Sequence, residues 1–367
     1  MPSAIDIRPF TLADAEAVSA LHKAVWWPAR SMESWRWLLS NPAHPADTPF
    51  GWVAASADGP QAFAGNLVQT LWRGGDAWRV ATGYSLVVSA NARGAARPLI
   101  RAVANQPGMA AVHTLNANAQ AARLYRRMGF EAFPAGTSDV KLTWIVDPAA
   151  ALLGRLTREI AVRRNYRGVL GNERLLNARL GRRLTRFERG VEPLEDVSDD
   201  GPLGAFWARM KGQGRAVVDR SPATIRWRLA NPDATTPPVV LAWRRDGAIT
   251  GWLLAQVSKG SEIEVPILDV IDLAVLDDDP EAIQALMTTV LKGARSIGAA
   301  KVRLQVVSPA TLAALGTLAT RARREGGWGH GYVQFAAGQA DDMRREWSPT
   351  PFDGDHGVCL RHPPIAR

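Results

Sequence analysis

The sequence predicts an α/β protein made of two similar mixed domains in tandem. Three observations carry that expectation. At 367 residues the chain is long for one ordinary domain and comfortable for two. The string Ser34-Trp35-Arg36-Trp37-Leu38-Leu39-Ser40-Asn41-Pro42 returns as Thr224-Ile225-Arg226-Trp227-Arg228-Leu229-Ala230-Asn231-Pro232, with Arg, Trp, Leu, Asn and Pro in the same order. Each copy is followed by an apolar run, an Asp-Gly pair and a second apolar run, the signal of a β-hairpin. The pairs are Asp58-Gly59 and Asp246-Gly247.

The first half reads in order as follows. Residues 5–8 form a strand, 12–22 a helix, and 34–39 a second helix rich in Trp and Arg. The hairpin strands cover 52–56 and 64–69. Residues 81–89 form a strand that runs into Ala90-Asn91-Ala92-Arg93-Gly94-Ala95-Ala96-Arg97-Pro98-Leu99, and a helix continues through Ala104. A short strand near 111–115 leads to a helix from Asn118 to Met128, and a last strand falls near 140–146. In the second half the same template predicts a helix at 224–229, a hairpin at 239–256 and a strand at 269–276. The expected divisions are 1–147, an arginine-rich helical connector at 148–214, 215–340, and a turn-rich tail at 341–367.

Composition excludes several classes. Hydrophobic residues at 47% and charged residues at 22% argue against a disordered chain. No apolar run approaches the roughly 18 residues of a membrane helix. The start shows no basic n-region before an apolar core, so no signal peptide and a cytoplasmic location are expected. One cysteine, Cys359, excludes an internal disulfide. Six scattered histidines lack metal-motif spacing, and Asp353-x-Asp355 without further ligands reads as a loop, so no metal is expected.

The net charge of +9 suits anionic ligands. Between Arg155 and Arg189 stand eleven arginines with leucines at rough helical spacing. They read as a solvated connector or as a contact for an anionic surface. No nucleic-acid-binding signature accompanies them. Trp26, Trp27, Trp35 and Trp37 read as core, with substrate stacking as the alternative, and Arg36 and Arg226 as structural ion-pair residues.

Chemistry concentrates in the first half. A strand that enters a small-residue loop and then a helix start presents N–H groups and a helix dipole to an anion, and Arg93 and Arg97 add charge. The second element is Asn118-x-x-Ala121-x-x-Leu124-Tyr125-x-x-x-Gly129-Phe130. Asn118 suits an N-cap, and Gly129 a left-handed C-terminal position. Ala121, Leu124, Tyr125 and Met128 share one face. A tyrosine there needs a hydroxyl partner, or faces a cleft where it can donate a proton.

With these two elements in this order, residues 5–146 resemble the GCN5-related N-acetyltransferase superfamily. The N-x-x-A-x-x-L-Y-x-x-x-G-F pattern is complete. The loop departs from the family's R-x-x-G-x-G/A: alanine replaces its first glycine and Pro98 stands at its last position. Proline offers no N–H, so modest coenzyme affinity is expected. The resemblance implies tandem domains, each a mixed, mostly antiparallel sheet flanked by helices. It implies transfer from acetyl-CoA or another acyl-CoA to an amine, without a metal. Leu86, Val87 and Val88 would meet the pantetheine arm and Arg93, Gly94, Ala95, Ala96 and Arg97 the pyrophosphate. Asn118 would bond the pantetheine, and Tyr125 would serve as the acid for the departing thiolate. Glu33, His22 and His113 are candidate bases, with water as the alternative. The second half carries Asp277-Asp278-Asp279-Pro280-Glu281 where the loop should be, and is expected not to bind the coenzyme. The alternative function is a non-catalytic module that binds a ligand or partner through the same fold. The acceptor, acyl length and oligomeric state stay open.

Overall fold

The computed structural model describes residues 5–25, 27–164, 179–259, 264–338 and 340–358. Trp26, Cys359 and, in the arginine-rich stretch, Arg167 and Arg174 fall outside them. In chain order the elements are β1 (Asp6–Pro9), α1 (Ala15–Ala24), α2 (Met32–Leu39), β2 (Gly51–Ser56), β3 (Gly59–Arg73), β4 (Asp76–Val88), α3 (Ala96–Ala104), β5 (Met109–Ala117), α4 (Ala119–Arg127), β6 (Glu131–Ala132), β7 (Leu142–Ile145), α5 (Pro148–Arg164), β8 (Val191–Pro193), α6 (Pro202–Lys211), β9 (Val217–Val218), α7 (Pro222–Leu229), β10 (Val239–Arg245), β11 (Ala248–Ser258), β12 (Ile267–Val275), α8 (Pro280–Gly293), β13 (Lys301–Leu304), α9 (Pro309–Leu315), α10 (Thr317–Arg321), β14 (Arg323–Arg324), β15 (His330–Phe335) and α11 (Ala340–Glu346).

Two compact units interleave along the chain. The first gathers the described residues of Met1–Asp139, Lys211–Asp233 and Gly327–Leu360; the second gathers those of Val140–Met210 and Ala234–Gly326. The first holds a sheet in the order β1-β2-β3-β4-β5-β15-β6, with β9 added to β3. The second holds β14-β7-β13-β12-β11-β10-β8. Each sheet is antiparallel except for one pair: β4 with β5 in the first, β12 with β13 in the second.

The expected strand near 140–146 does not close the first sheet. As β7 it pairs with β13 in the second, while β15 pairs with β5 in the first. Burial explains the placement: Leu142 and Trp144 of β7 join the second unit's core, and Trp144 Nε1 donates to Leu318 O at 2.9 Å. Tyr332 and Val333 of β15 are buried in the first unit.

In the first unit two cores lie on opposite faces of the sheet. One holds Leu99, Ile100 and Val103 of α3, Tyr125 of α4, Val112 and Tyr332. The other holds Val18 of α1, Trp35, Trp37 and Leu38 of α2, Phe63, Leu67, Tyr84 and Trp227. The recurring strings fold alike. Ser31 caps α2 and Ser221 caps α7, each side chain accepting an N–H three residues on. Trp37 Nε1 donates to Trp227 O at 2.7 Å, and Trp227 Nε1 to Trp37 O at 3.0 Å, with the rings stacked 5.0 Å apart. Trp35 and Trp37 are core, whereas Trp27 is 36% exposed. Arg36 is exposed and makes no ion pair among the described residues, which corrects the structural-pair expectation for it.

Candidate active site

The first unit's sheet opens in the middle. The parallel ladder between β4 and β5 runs from Arg79↔Met109 to Thr82↔His113 and stops, although β4 continues to Val88 and β5 to Ala117. A bulge accompanies the break. Between Tyr84 and Val87, β4 advances three residues while β3 advances two, from Gly65 to Phe63. Ser85 takes a positive φ of 50° there. A bulge shifts the side-chain alternation by one. Tyr84 therefore joins the α1–α2 core, while Leu86 packs against the α3–α4 core.

A narrow pocket occupies the parting. Gly83, Tyr84 and Leu86 of β4, Val112 and His113 of β5, Ile100 and Val103 of α3, Tyr125 and Phe130 line it, with Ala64. Asn118 starts the helix that aims Tyr125: its side chain accepts the N–H groups of Gln120 at 3.0 Å and Ala121 at 2.9 Å. Phe130 meets the Tyr125 ring edge-on at 5.0 Å, and Tyr332 lies parallel to it at 6.2 Å. The Thr114 side chain lies near enough to the phenol hydroxyl to favour its charged form. The hydroxyl lies against the backbone of Gly83, where a Cβ would meet it at 3.4 Å, an ordinary contact. Burial, then the Asp355 carboxylate, push the phenol well above its ordinary value, against the pull of Thr114. It is a protonated donor at neutral pH.

The remaining expected site residues gather at the C-terminal ends of β4 and β5. Val87 and Val88 end β4. Arg93, Gly94 and Arg97 are exposed in the turn into α3. Gly94 takes φ 98°, which favours glycine. No side chain caps α3, in contrast to α2, α4, α7, α8 and α9. Pro98 falls in its first turn, where a missing N–H costs the helix no bond. The second unit differs at the matching turn. Asp279 caps α8 through Glu281 N at 3.0 Å, and Arg245 pairs with Asp279 at 3.0 Å and Glu281 at 2.7 Å.

The structure separates the three candidate bases. Glu33 is exposed in the first turn of α2. His22 is buried among Trp27, Trp35 and Phe63, and neither ring nitrogen has a hydrogen-bond partner. Burial, then the Arg30 charge, hold it down to about 4, so it is neutral. His113 Nε2 lies 2.8 Å from Asp353 O and 2.8 Å from Thr82 Oγ1. A carbonyl only accepts, so Nε2 carries the proton and Nδ1 the lone pair. Burial holds His113 down to about 4 as well.

Sequence reasoning missed Gly83, Tyr84, Thr114 and the tail. Residues 351–356 and Val358 are buried in the first unit, and His356 has Nε2 3.3 Å from Leu115 O. Among the described residues no cluster of three His, Cys, Asp or Glu could hold a metal ion, and no helix is long and apolar enough to cross a membrane.

No protein-family model matches the sequence, and no curated protein matches it. Solved structures do match. A GCN5-related N-acetyltransferase from Anabaena variabilis is 14% identical with a TM-score of 0.53, over 90% of this chain and 73% of that one. A GCN5-related N-acetyltransferase from Kribbella flavida is 15% identical with a TM-score of 0.51, over 91% of this chain and 71% of that one. The N-myristoyltransferase of Saccharomyces cerevisiae, solved with bound myristoyl-CoA, is 12% identical with a TM-score of 0.54, over 94% of this chain and 88% of that one. The likeness is one of fold: mixed sheets flanked by helices, matching the fold of these acyltransferases.

Proposed function

We propose that the first unit is an acyl-CoA-dependent N-acyltransferase that passes its acyl group directly to an amine. The parted ladder between β4 and β5, with the Tyr125 phenol in its pocket, carries this reading. Beyond Thr82 and His113 the two strands no longer pair with each other, so a thioester arm can lie between them and take backbone hydrogen bonds. Leu86, Val87 and Val88 line one side of that path. The loop from Arg93 to Arg97 supports a pyrophosphate through two exposed guanidinium groups and the uncapped start of α3. The side-chain oxygen of Asn118 caps α4, which leaves its amide N–H free to donate to the arm.

Tyr125 then supplies the chemistry of departure. A phenol kept protonated by burial donates a strong hydrogen bond to sulfur as negative charge develops there, and hands over its proton as the bond breaks. The second unit's matching turn offers carboxylates already joined to their own helix start and to Arg245, so one coenzyme per chain is expected.

Calorimetric titration of acetyl-CoA and longer acyl-CoAs, with and without Tyr125→Phe, tests the proposal. The variant keeps the ring packed and should lose only about 1 kcal/mol of stability. It should bind acyl-CoA as the parent does and turn over roughly 10²–10⁴-fold more slowly. Equal turnover would remove Tyr125 from the mechanism. Binding of acyl-CoA without any acyl transfer would favour the ligand-binding reading of the fold.

A further inference from the structure

In the second unit, α5 packs through its small residues and turns its large ones to the outside. Gly154 and Thr157, three apart, are buried. A Cβ at 154 would lie 2.2 Å from Val265 Cγ1, so the helix seats as closely as only glycine allows. Leu152, Leu156 and Ile160, spaced by four on one face, are 60%, 49% and 50% exposed, and Leu153 beside them is 38% exposed. Among the described residues no other element carries so many exposed large apolar side chains. The stripe runs about 12 Å along the helix. A contiguous apolar patch with a polar rim marks a surface that meets a partner.

The rim is cationic. Arg155 and Arg158 stand beside the stripe, with side chains 79% and 61% exposed. They pair with Glu159 at 3.5 Å and Glu264 at 3.3 Å. Exposed pairs of this kind are weak, so both guanidinium groups can turn to a competing anion. From Arg155 to Arg189 the sequence has eleven arginines and three glutamates, so this stretch carries +8 of the chain's +9. The seven of these arginines that fall among the described residues are all exposed. The second run of them starts beside α5. Arg179 Nη1 donates to Arg295 O at 3.4 Å, Arg295 Nε donates to Asp147 Oδ2 at 3.1 Å, and Asp147 Oδ1 accepts the Ala150 N–H in the first turn of α5 at 3.1 Å.

We propose that this face of α5 docks on an anionic lipid surface. The helix lies flat, with its leucines among the outer acyl carbons and its arginines against headgroup phosphates. Charge and apolarity together select that occupant. Nucleic acid is held through cations and has no use for a leucine stripe. A second copy of the chain would bring two such cationic faces together, at a cost in repulsion. An anionic bilayer offers apolar depth and negative charge at one surface. This docking does not depend on acyl transfer in the first unit.

The test is co-sedimentation of the full chain with vesicles of phosphatidylcholine alone and of phosphatidylcholine mixed equally with phosphatidylglycerol. Binding should be at least about tenfold tighter to the mixture and should weaken as salt rises. Leu152→Gln with Leu156→Gln should lower it about tenfold or more. Arg155→Gln with Arg158→Gln should lower it roughly fivefold per arginine. All four positions are exposed, so thermal unfolding of both double variants should match the parent. Equal binding to the two kinds of vesicle, or binding that survives the leucine double variant, would overturn the proposal. A parent that ignores both vesicles would overturn it too. Leucine variants that then unfold at lower temperature would show the chain's own residues covering the stripe. Variants that split a dimer in light scattering would show a second copy there, and duplex DNA bound instead of vesicles would show a nucleic-acid surface.

Discussion

His113 is a titratable group that the fold keeps neutral. Its ring is fully enclosed, edge-on to Trp347 at 5.1 Å, with one nitrogen held by Asp353 O. Burial lowers its value from 6.5 to about 4. The sign of the consequence follows. As pH falls below 6.5 the unfolded chain binds the proton and the folded chain refuses it. The stability that His113 contributes is therefore whole above 6.5 and is lost progressively toward 4, with a slope of about 1.4 kcal/mol per pH unit. His22, also held at about 4, adds a loss of the same sign. Urea denaturation across that range should show a shallower pH dependence for His113→Gln than for the parent. Identical slopes would mean that His113 protonates in the folded chain as readily as in the unfolded one.

The tail is an element of the first unit held by a buried ion pair. Arg220 and Asp353 are 2% and 1% exposed. Arg220 also donates to Val218 O at 2.7 Å and to Thr350 Oγ1 at 2.9 Å. Phe352 takes the guanidinium groups of Arg220 at 5.0 Å and Arg228 at 4.4 Å over its ring. Removing one partner of a buried pair strands the other, so Asp353→Ala should cost about 3–5 kcal/mol, and the apolar double variant Arg220→Met, Asp353→Leu should recover most of it. Chemical denaturation decides; a loss below about 1 kcal/mol would show that the pair is not what holds the tail. This element was illegible in the sequence for a physical reason. Trp347 to His356 carries Pro, Gly and Asp, which read as turns, and its burial depends on Arg30, Arg220 and Arg228, which are distant in the chain. By contrast Asn118 to Phe130 was legible because cap, face and C-terminal glycine are local features. The alternation of β7 was equally clear. Periodicity fixes which side chains share a face but not which strand lies alongside, and so its sheet was missed.

At the scale of the molecule, the sheets repeat one pattern of pairing. β1-β2-β3-β4-β5-β15 in the first unit matches β8-β10-β11-β12-β13-β7 in the second, each with a single parallel pair at the same place. The chemistry does not repeat. The turn after β4 is small, cationic and exposed. The turn after β12 is acidic, with Asp277 and Asp278 at φ 57° and 51° and Asp279 committed to its own helix. Hydrogen exchange with and without saturating acetyl-CoA tests the central claim most directly, because amides that gain a partner are protected. The account predicts new protection in residues 84–97 and 112–118, with residues 267–281 unchanged. Protection in 267–281, or none in 84–97 when calorimetry shows the coenzyme bound, would contradict it.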